Sequence, residues 1–453
     1  THIYCRPSCP AMTPARRNVR FFPTAAAAQT AGFRACKRCR PDASPGSPEW
    51  NTRGDLVGRA MRLILDGVVE REGVSGLARR LHFSERHLHR QVASELGAGP
   101  QAIARAHRAQ TARTLVETTA LDFADVAFTA GFGSIRQFND TIRDVFGTTP
   151  SDLRTSRRQR QLPAGGSIAL RLARREPLDG THLLAFLGRR AVPGLEEWEG
   201  DSYRRALSLP HGAAVVEVRA RPGHVSCILT LEDVRDLSCA VQRCRALLDL
   251  DADPTAIDAA LAEDPVLKGL ILASPGRRVP GTVDTAELAC RAVIGQQVSV
   301  RAARTLTARL VERHGRRLPW EPGALKRVFP TAAAIAEGDL AGLGIARSRI
   351  RTLKLMAGAL AEGSIEIDPG ADRDEAQRAL LEVDGIGPWT ASYIRMRALR
   401  DPDVFLPTDL GARRALQRME LEGNASGIAA RWRPWRSYAL QHLWSGDLSK
   451  EDQ

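Results

Sequence analysis

The sequence has 453 residues, which is long enough for three or four domains with separate hydrophobic cores. It carries 65 Lys and Arg against 52 Asp and Glu, and this formal charge of +13 favours a polyanionic partner, although an Arg-rich composition can also follow from codon usage. No apolar run reaches the roughly 20 residues of a membrane span and no secretory leader is visible, so the pattern argues against a membrane protein and predicts a soluble, cytoplasmic one.

Four Cys lie in the first forty residues as two short pairs, Cys5 with Cys9 and Cys36 with Cys39. Short Cys spacings separated by a loop are typical of a tetrahedral zinc site. A disulfide framework would need an oxidising compartment, and nothing in the chain argues for one. The spacing therefore predicts Zn²⁺ held by these four sulfurs.

The context of the first pair, Ile3-Tyr4-Cys5-Arg6-Pro7-Ser8-Cys9, resembles the N-terminal zinc module of Ada. The resemblance implies that Cys5 accepts a methyl group from a DNA methylphosphotriester, while Cys9, Cys36 and Cys39 complete the zinc site. The alternative is a structural zinc module that only holds a DNA-binding surface. Ada modules carry further residues before their first Cys, so we expect the natural chain to start earlier than this sequence.

The next region predicts two helix-turn-helix units. In each unit a Ser, Ser84 or Ser134, stands at the N-cap of a helix with basic and amide side chains on its outer face. Two units at this separation, ending in Gly147-Thr148-Thr149-Pro150, resemble the DNA-binding domain of AraC-type transcription factors. The resemblance implies that six side chains contact the major groove of DNA: Arg86, His89, Arg90, Arg136, Gln137 and Asn139.

A mixed pattern follows, in which residues 167–172, 215–219 and 226–231 look like strands. After Thr282 the apolar periodicity is helical almost throughout. The predicted fold class is thus multidomain and mainly α. Its parts are a zinc module (1–52), an AraC-type double helix-turn-helix domain (53–156), a mixed α/β subdomain (167–280) and an all-α helix-hairpin-helix domain (281–453).

A helical run in the last of these domains stops at Asp384-Gly385-Ile386-Gly387, where two glycines permit positive φ, and a second helix begins at Pro388. Backbone amides at such a turn suit a DNA phosphate, so Gly385 and Gly387 are predicted DNA contacts. Asp409 then opens the next helix, after Pro407-Thr408. An Asp at that position is often only an N-cap.

This arrangement resembles the AlkA-type alkylation-repair enzymes of the helix-hairpin-helix glycosylase superfamily. The resemblance implies that Asp409 is the catalytic carboxylate, which stabilises positive charge on the sugar or orients the attacking water. It also implies an aromatic pocket of Trp389, Tyr393 and Trp444, which attracts a cationic alkylated base by cation–π contact. Gln297 aligns with the side chain that wedges into the duplex, where the best-known members have an apolar residue.

Several positions narrow the expected chemistry. Trp389 stands where members that also cleave the DNA backbone carry a Lys, so we expect a monofunctional glycosylase. The last Cys is Cys290, which argues against an iron–sulfur cluster near the C-terminus. Trp432 and Trp435 look like packing and phosphate-side residues. The family also implies a monovalent cation at the hairpin, bound by the carbonyls of Leu381, Val383 and Ile386.

The sequence thus predicts a DNA-3-methyladenine glycosylase that also accepts methyl groups and regulates transcription of the adaptive response. Its expected partners are double-stranded DNA, carrying alkylated bases, methylphosphotriesters or promoter sites, and RNA polymerase. No Pro-Cys-His-Arg motif occurs, so the O6-alkylguanine transferase domain of Ada is not expected. The alternative is a damage-responsive transcription regulator whose glycosylase fold is inactive and only binds DNA.

Overall fold

A computed structural model describes residues 2–5, 9, 14–36, 56–119, 121–155, 167–320, 322–421 and 424–448. The chain divides into two compact units. The first comprises Thr1–Arg174, Leu209–Ala214 and Ser226–Gln242, and the second comprises Arg175–Ser208, Val215–Val225 and Arg243–Gln453. Within the described ranges, no helix combines the length and the apolarity needed to cross a membrane.

Two short parallel strands organise the N-terminal segment. Strand β1 (Ile3–Tyr4) pairs with β2 (Arg34–Ala35), and helix α1 (Ala25–Thr30) lies between them in the chain. The pairing extends through a hydrogen bond from the amide of Cys36 to the carbonyl of Tyr4, 3.0 Å long. Residues that follow each strand are therefore brought to the same end of the pair.

The next region is entirely helical where it is described. Its helices are α2 (Leu56–Leu65), α3 (Val68–Arg80), α4 (Glu85–Leu96), α5 (Pro100–Thr118), α6 (Phe123–Thr129), α7 (Ile135–Phe146) and α8 (Pro150–Thr155). The side chains of Ser84 and Ser134 accept hydrogen bonds from the amides of His87 and Gln137, so both predicted N-caps are confirmed. Helices α3–α4 and α6–α7 form the two helix-turn-helix pairs, with α5 joining them.

Five strands form one sheet in the order β3-β7-β6-β5-β4. They are β3 (Ile168–Ala173), β4 (Glu196–Glu199), β5 (Ser202–Ser208), β6 (Ala213–Arg221) and β7 (His224–Leu231). The three predicted strands are confirmed as β3, β6 and β7, but β4 and β5 were not predicted. These two pair antiparallel, with Glu196 opposite Arg205, and neither shows a clear alternation of buried and exposed residues.

The remaining elements are helices, and the periodicity predicted those that follow Thr282. They are α9 (Gly180–Arg189), which precedes β4, followed after the sheet by α10 (Leu237–Leu247), α11 (Pro254–Leu261), α12 (Pro265–Ala273), α13 (Thr285–Ile294), α14 (Val300–His314), α15 (Ala332–Glu337), α16 (Arg347–Glu362), α17 (Arg373–Leu381), α18 (Pro388–Arg397), α19 (Leu410–Arg418), α20 (Ala425–Ala429) and α21 (Arg436–Leu448). A core that includes Leu406, Trp432 and Leu443 packs α19 and α21 together.

Candidate functional site

In the hairpin between α17 and α18, two glycines were predicted to permit positive φ, and one of them adopts it. Gly385 has φ +89°, whereas Gly387 is an extended N-cap with φ −92°, so only Gly385 uses left-handed backbone. A Cβ at Gly385 would also lie 2.0 Å from the hydroxyl of Thr352, which donates a 2.8 Å hydrogen bond to the carbonyl of Asp384. The turn is exposed at both glycines and anchored by the buried Ile386.

Asp409 is an N-cap and also the meeting point of two indoles. Its Oδ1 accepts from the amide of Ala412 at 3.0 Å, which is the capping bond, and from Nε1 of Trp444 at 2.8 Å. Its Oδ2 accepts from Nε1 of Trp389 at 3.2 Å. Capping requires only the first of these bonds. The two tryptophans fix the orientation of the carboxylate between them, which a purely structural cap does not need.

Each of these tryptophans stacks on a second aromatic ring. Trp389 lies parallel to Tyr393, with centroids 5.0 Å apart and an interplanar angle of 9°. Trp444 lies parallel to Phe186, with centroids 6.5 Å apart and an angle of 14°. The structure thus brings together all three predicted pocket aromatics and adds Phe186 of α9. Phe186 was missed because no motif marks it and it lies far from the others in sequence.

Arg397 joins the far ends of the two stacks. Its guanidinium carbon lies 5.1 Å from the centroid of Phe186 and 5.4 Å from that of Tyr393, and its Nη1 donates to the Tyr393 hydroxyl at 2.6 Å. The remaining bonds run from Nε to the carbonyl of Pro280 and from Nη2 to that of Gly281. Six side chains therefore contact one another in a ring, which we call the Asp409 cluster: Asp409, Trp389, Tyr393, Arg397, Phe186 and Trp444.

The loop after α13 is tied to the hairpin. Gln297 is exposed and has φ +54°, a left-handed conformation that is uncommon for a residue with a side chain. Its neighbour Gln296 donates through Nε2 to the carbonyl of Gly385 at 3.0 Å and to the hydroxyl of Thr390 at 3.1 Å. The predicted wedge therefore stands on the surface, held in register with the hairpin by Gln296, which the sequence did not single out.

The other two C-terminal tryptophans differ in burial. Trp432 is 1% exposed and donates from Nε1 to Asp264 at 2.9 Å, as expected of a packing residue. Trp435 packs only partly buried against the same core. At the hairpin, the Val383 carbonyl accepts the amide of Ile386 at 3.0 Å, and the predicted cation site on this backbone stays a prediction.

The two helices that carry Phe186 and Trp444 each also carry a histidine, of which His442 is buried and His182 is half-buried. His182 is one helical turn before Phe186 on α9, and His442 is two residues before Trp444 on α21. Burial and, to a smaller extent, the positive charge of Arg277 together lower the pKa of both imidazoles to about 3. Neither His182 Nε2 nor His442 Nδ1 has a hydrogen-bond partner in the described chain. Both residues are therefore neutral at physiological pH.

These histidines predict acid sensitivity of the second unit. Their folded pKa lies below the ordinary 6.5, so unfolding takes up protons, and their stabilising contribution is full above pH 6.5 and lost as the pH falls towards 3. We expect His442→Gln to recover about 2 kcal/mol of unfolding free energy at pH 4 relative to its effect at pH 7. Urea unfolding at both pH values measures this, and an equal effect at both would contradict it.

Three of the four predicted zinc ligands cluster in the described residues. The sulfurs of Cys5, Cys9 and Cys36 all lie within 4.8 Å of one another, because β1 and β2 bring the first and third together. Four sulfurs around zinc at 2.3 Å stand roughly 3.8 Å apart, so the arrangement fits that metal. Cys5 is exposed whereas Cys36 is 8% exposed. Cys39 lies outside the described residues.

The predicted major-groove residues lie on α4 and α7, the second helices of the two helix-turn-helix pairs. Arg86, His89 and Arg90 are exposed on α4. On α7, Arg136 and Gln137 are exposed, with the Arg136 side chain 93% exposed. The sixth residue, Asn139, is half-buried, and the Gln137 side chain accepts the amide of Gly133 at 3.1 Å. These two amide side chains are therefore less available to a base than the basic ones.

Comparison with known proteins places each region in a family. Family models match residues 1–42 (metal binding domain of Ada), 77–156 (helix-turn-helix domain), 169–284 (AlkA N-terminal domain) and 290–431 (HhH-GPD superfamily base excision DNA repair protein). A Mycobacterium tuberculosis protein described as a probable bifunctional transcriptional activator/DNA repair enzyme AlkA is 52% identical over 451 residues, which cover 98% of this chain and 91% of the relative.

Two further relatives match the C-terminal part. DNA-3-methyladenine glycosylase 2 of Escherichia coli K12 is 35% identical over 275 residues, which cover 59% of this chain and 94% of that protein. The solved structure of the 3-methyladenine DNA-glycosylase from Archaeoglobus fulgidus superposes with a TM-score of 0.56 at 24% identity and covers 62% of this chain and 99% of its own. That likeness shows that the two proteins share a fold.

Proposed function

Since this chain belongs to the family of bifunctional AlkA proteins, which join an Ada-type metal-binding domain and a helix-turn-helix domain to an AlkA-type glycosylase, we propose that it excises alkylated purines from DNA and regulates transcription in response to methyl damage. The observation that carries the glycosylase is the carboxylate of Asp409, held by two indoles within an aromatic cluster. A pure DNA-binding module has no need of that arrangement.

The cluster supports hydrolysis of the N-glycosidic bond of a flipped nucleotide. As the C1′–N bond breaks, both its electrons pass to the base and the sugar becomes positively charged. A fixed carboxylate beside the sugar stabilises this charge without reorganising. Water then adds its oxygen to C1′ and loses a proton. The electron-rich faces of Trp389 and Trp444 attract a base that N-alkylation has made cationic, such as 3-methyladenine.

Supporting elements position the DNA. We propose that the backbone of the hairpin at Gly385 and Gly387 holds a phosphate, and that Gln297 enters the duplex where the flipped nucleotide leaves. Among the described residues, no atom other than nearby backbone lies within 4 Å of the position that a Cβ would take at Gly387, so a phosphate can approach its backbone. The hairpin carbonyls of Leu381, Val383 and Ile386 are the proposed ligands of a monovalent cation, which would strengthen the positive field there.

Release of free base from methylated duplex DNA tests the glycosylase. The purified chain is incubated with DNA methylated at random, and the released bases are separated and quantified. Release of 3-methyladenine is the expected result. Binding of the same duplex without release of any base would favour the alternative, a damage-responsive regulator with an inactive glycosylase fold.

The cysteine cluster supports a second activity, methyl acceptance by Cys5. Zinc bound by Cys5, Cys9, Cys36 and Cys39 would keep these sulfurs deprotonated and nucleophilic. Cys5 is the exposed member of the three described, and so the one that DNA can reach. Its sulfur would attack the methyl carbon of a phosphotriester. The C–O bond then breaks with its electrons on the phosphate oxygen, leaving a thioether and an ordinary phosphodiester.

Exposure to DNA that carries methylphosphotriesters should therefore add one methyl group to Cys5, measured by mass spectrometry of the digested protein. Cys5→Ser should remove the signal, since a serine hydroxyl stays protonated and is a poor nucleophile at neutral pH. Cys227, which is buried in the sheet, serves as the internal control thiol. Methylation found on another cysteine, with Cys5 unmodified, contradicts the assignment.

Methylation of Cys5 would regulate transcription by changing the affinity of the protein for promoter DNA. A methylated sulfur loses one negative charge next to the DNA phosphates, which reduces repulsion and strengthens promoter binding. The basic residues Arg86, Arg90 and Arg136 on the two recognition helices would hold the promoter. Activation of transcription would then require contact with RNA polymerase. A binding measurement before and after methylation of Cys5 checks the affinity change.

A further inference from the structure

The two ends of the Asp409 cluster carry opposite charges. Asp409 contacts Trp389 and Trp444, whereas Arg397 contacts Tyr393 and Phe186, the stacking partners of those tryptophans. Arg397 is 7% exposed, and no carboxylate of the described chain forms an ion pair with it. The carbonyls of Pro280 and Gly281 accept hydrogen bonds from this guanidinium, but its positive charge has no negative partner in the part of the chain that the structure describes, and burying such a charge is costly.

The hydroxyl of Tyr393 stands between that charge and the stacked rings. It accepts the hydrogen bond from Arg397 Nη1 at 2.6 Å, and its own proton has no acceptor among the described residues. Burial alone would raise the pKa of the Tyr393 hydroxyl, but the positive charges of Arg397 and Arg190 and the hydrogen bond from Arg397 outweigh it, and the pKa is lowered. The hydroxyl is therefore a polarised donor without an internal partner.

Such a donor matters for one class of leaving group. When a neutral purine leaves, the electron pair of the C1′–N9 bond gives it a negative charge, whereas a purine made cationic by N-alkylation leaves neutral. Overall, water supplies the hydroxyl on C1′. The other proton of this water ends on the departed base when the purine was neutral, and in the solvent when the purine was cationic. Only the neutral lesion gains from a positive field and an O–H donor at the base end.

We propose that the Tyr393 hydroxyl, oriented and polarised by Arg397, donates to the departing base and so extends excision to neutral purine lesions that lack a weakened bond. This inference rests on the proposed glycosylase function and concerns the same site. Tyr393 contacts the base directly, and Arg397 is a positioning residue that acts through it. The carboxylate of Asp409 serves the sugar in both classes of lesion.

Tyr393→Phe separates this role from stacking, because it removes the hydroxyl and keeps the ring. Single-turnover excision is measured with the full chain on two duplexes, one with a single hypoxanthine and one with a single 7-methylguanine. We expect the hypoxanthine rate to fall roughly a hundredfold, the low end of what a positioned donor contributes, and the 7-methylguanine rate to change by less than about threefold. Arg397→Lys should shift the ratio in the same direction.

Tyr438→Phe is the matched control. It also removes a buried tyrosine hydroxyl, which donates a 2.8 Å hydrogen bond to Asp249, and neither residue belongs to the Asp409 cluster. It should leave the ratio of the two rates unchanged. Equal losses on both duplexes for Tyr393→Phe would overturn the inference, as would a parent that releases 7-methylguanine but no hypoxanthine. A parent that releases neither base would instead refute the glycosylase itself.

Discussion

Replacing Asp409 by Asn should reduce release of 3-methyladenine by about 10³-fold while leaving DNA affinity intact, because it removes the only carboxylate within the Asp409 cluster. Asn keeps an oxygen that can accept the capping bond from Ala412, so the helix α19 should retain its start. The amide cannot stabilise a positive sugar as a carboxylate does. Affinity for a duplex with a stable abasic-site analogue checks that the fold and the DNA surface survive.

A second N-cap aspartate supplies the matched control for this substitution. Asp253 caps α11 by accepting the amide of Ala256 at 3.2 Å, and no tryptophan of the described residues donates to it. Asp253→Asn should leave base release unchanged. If Asp409→Asn releases base at an undiminished rate, Asp409 is a cap and nothing more, and the carboxylate that serves the sugar must be sought elsewhere.

Local sequence signals predicted the parts of the site that lie close together in the chain. The turn at Gly385, the caps at Ser84, Ser134 and Asp409, and the clustering of Cys5 with Cys9 all follow from short-range chemistry. The two N-cap serines, the basic and amide side chains that follow them and the resemblance to AraC-type factors together predicted both helix-turn-helix pairs. In each of these cases, one local stretch determines the geometry.

The missed parts come from contacts between distant segments. Phe186 reaches Trp444 from α9, and no local pattern distinguishes it from a core residue. Arg397 does not stand out among the 65 Lys and Arg, since its partners are backbone carbonyls and ring faces. Strand β4 reads Glu-Glu-Trp-Glu and has no apolar alternation. Its role depends on a buried ion cluster, which sequence alone did not indicate.

That cluster crosses from the sheet to α13. Arg205 on β5 bonds Glu196 at 3.0 Å and Glu287 at 2.6 Å, and Arg291 on α13 also pairs with both glutamates. Tyr203 donates to Glu196 at 2.7 Å. Burial alone would raise the pKa of Glu196, but the charges of Arg291 and Arg205 and the hydrogen bonds outweigh it and lower the pKa to about 2. Glu196 is therefore ionised at neutral pH, between the guanidinium groups of Arg205 and Arg291.

Arg205→Met should therefore destabilise the second unit by about 3–5 kcal/mol, since two buried carboxylates would be left with one guanidinium. The neighbouring Arg204→Met is the matched control: Arg204 pairs with Glu197 at 2.7 Å, both side chains are 28% exposed, and its loss should cost no more than about 1 kcal/mol. Urea unfolding followed by tryptophan fluorescence measures both, because six of the seven Trp belong to the second unit.

Adding Glu287→Gln to Arg205→Met should recover part of the lost unfolding free energy, because it removes one of the two negative charges. Equal effects of Arg205→Met and Arg204→Met would show that the buried cluster contributes no more to stability than a surface ion pair does. The same helix, α13, carries Glu287 and Arg291 and leads directly into the loop of Gln296 and Gln297. Loosening its attachment to β5 should therefore also slow base release from paired duplex more than from single-stranded DNA, where no wedge is required.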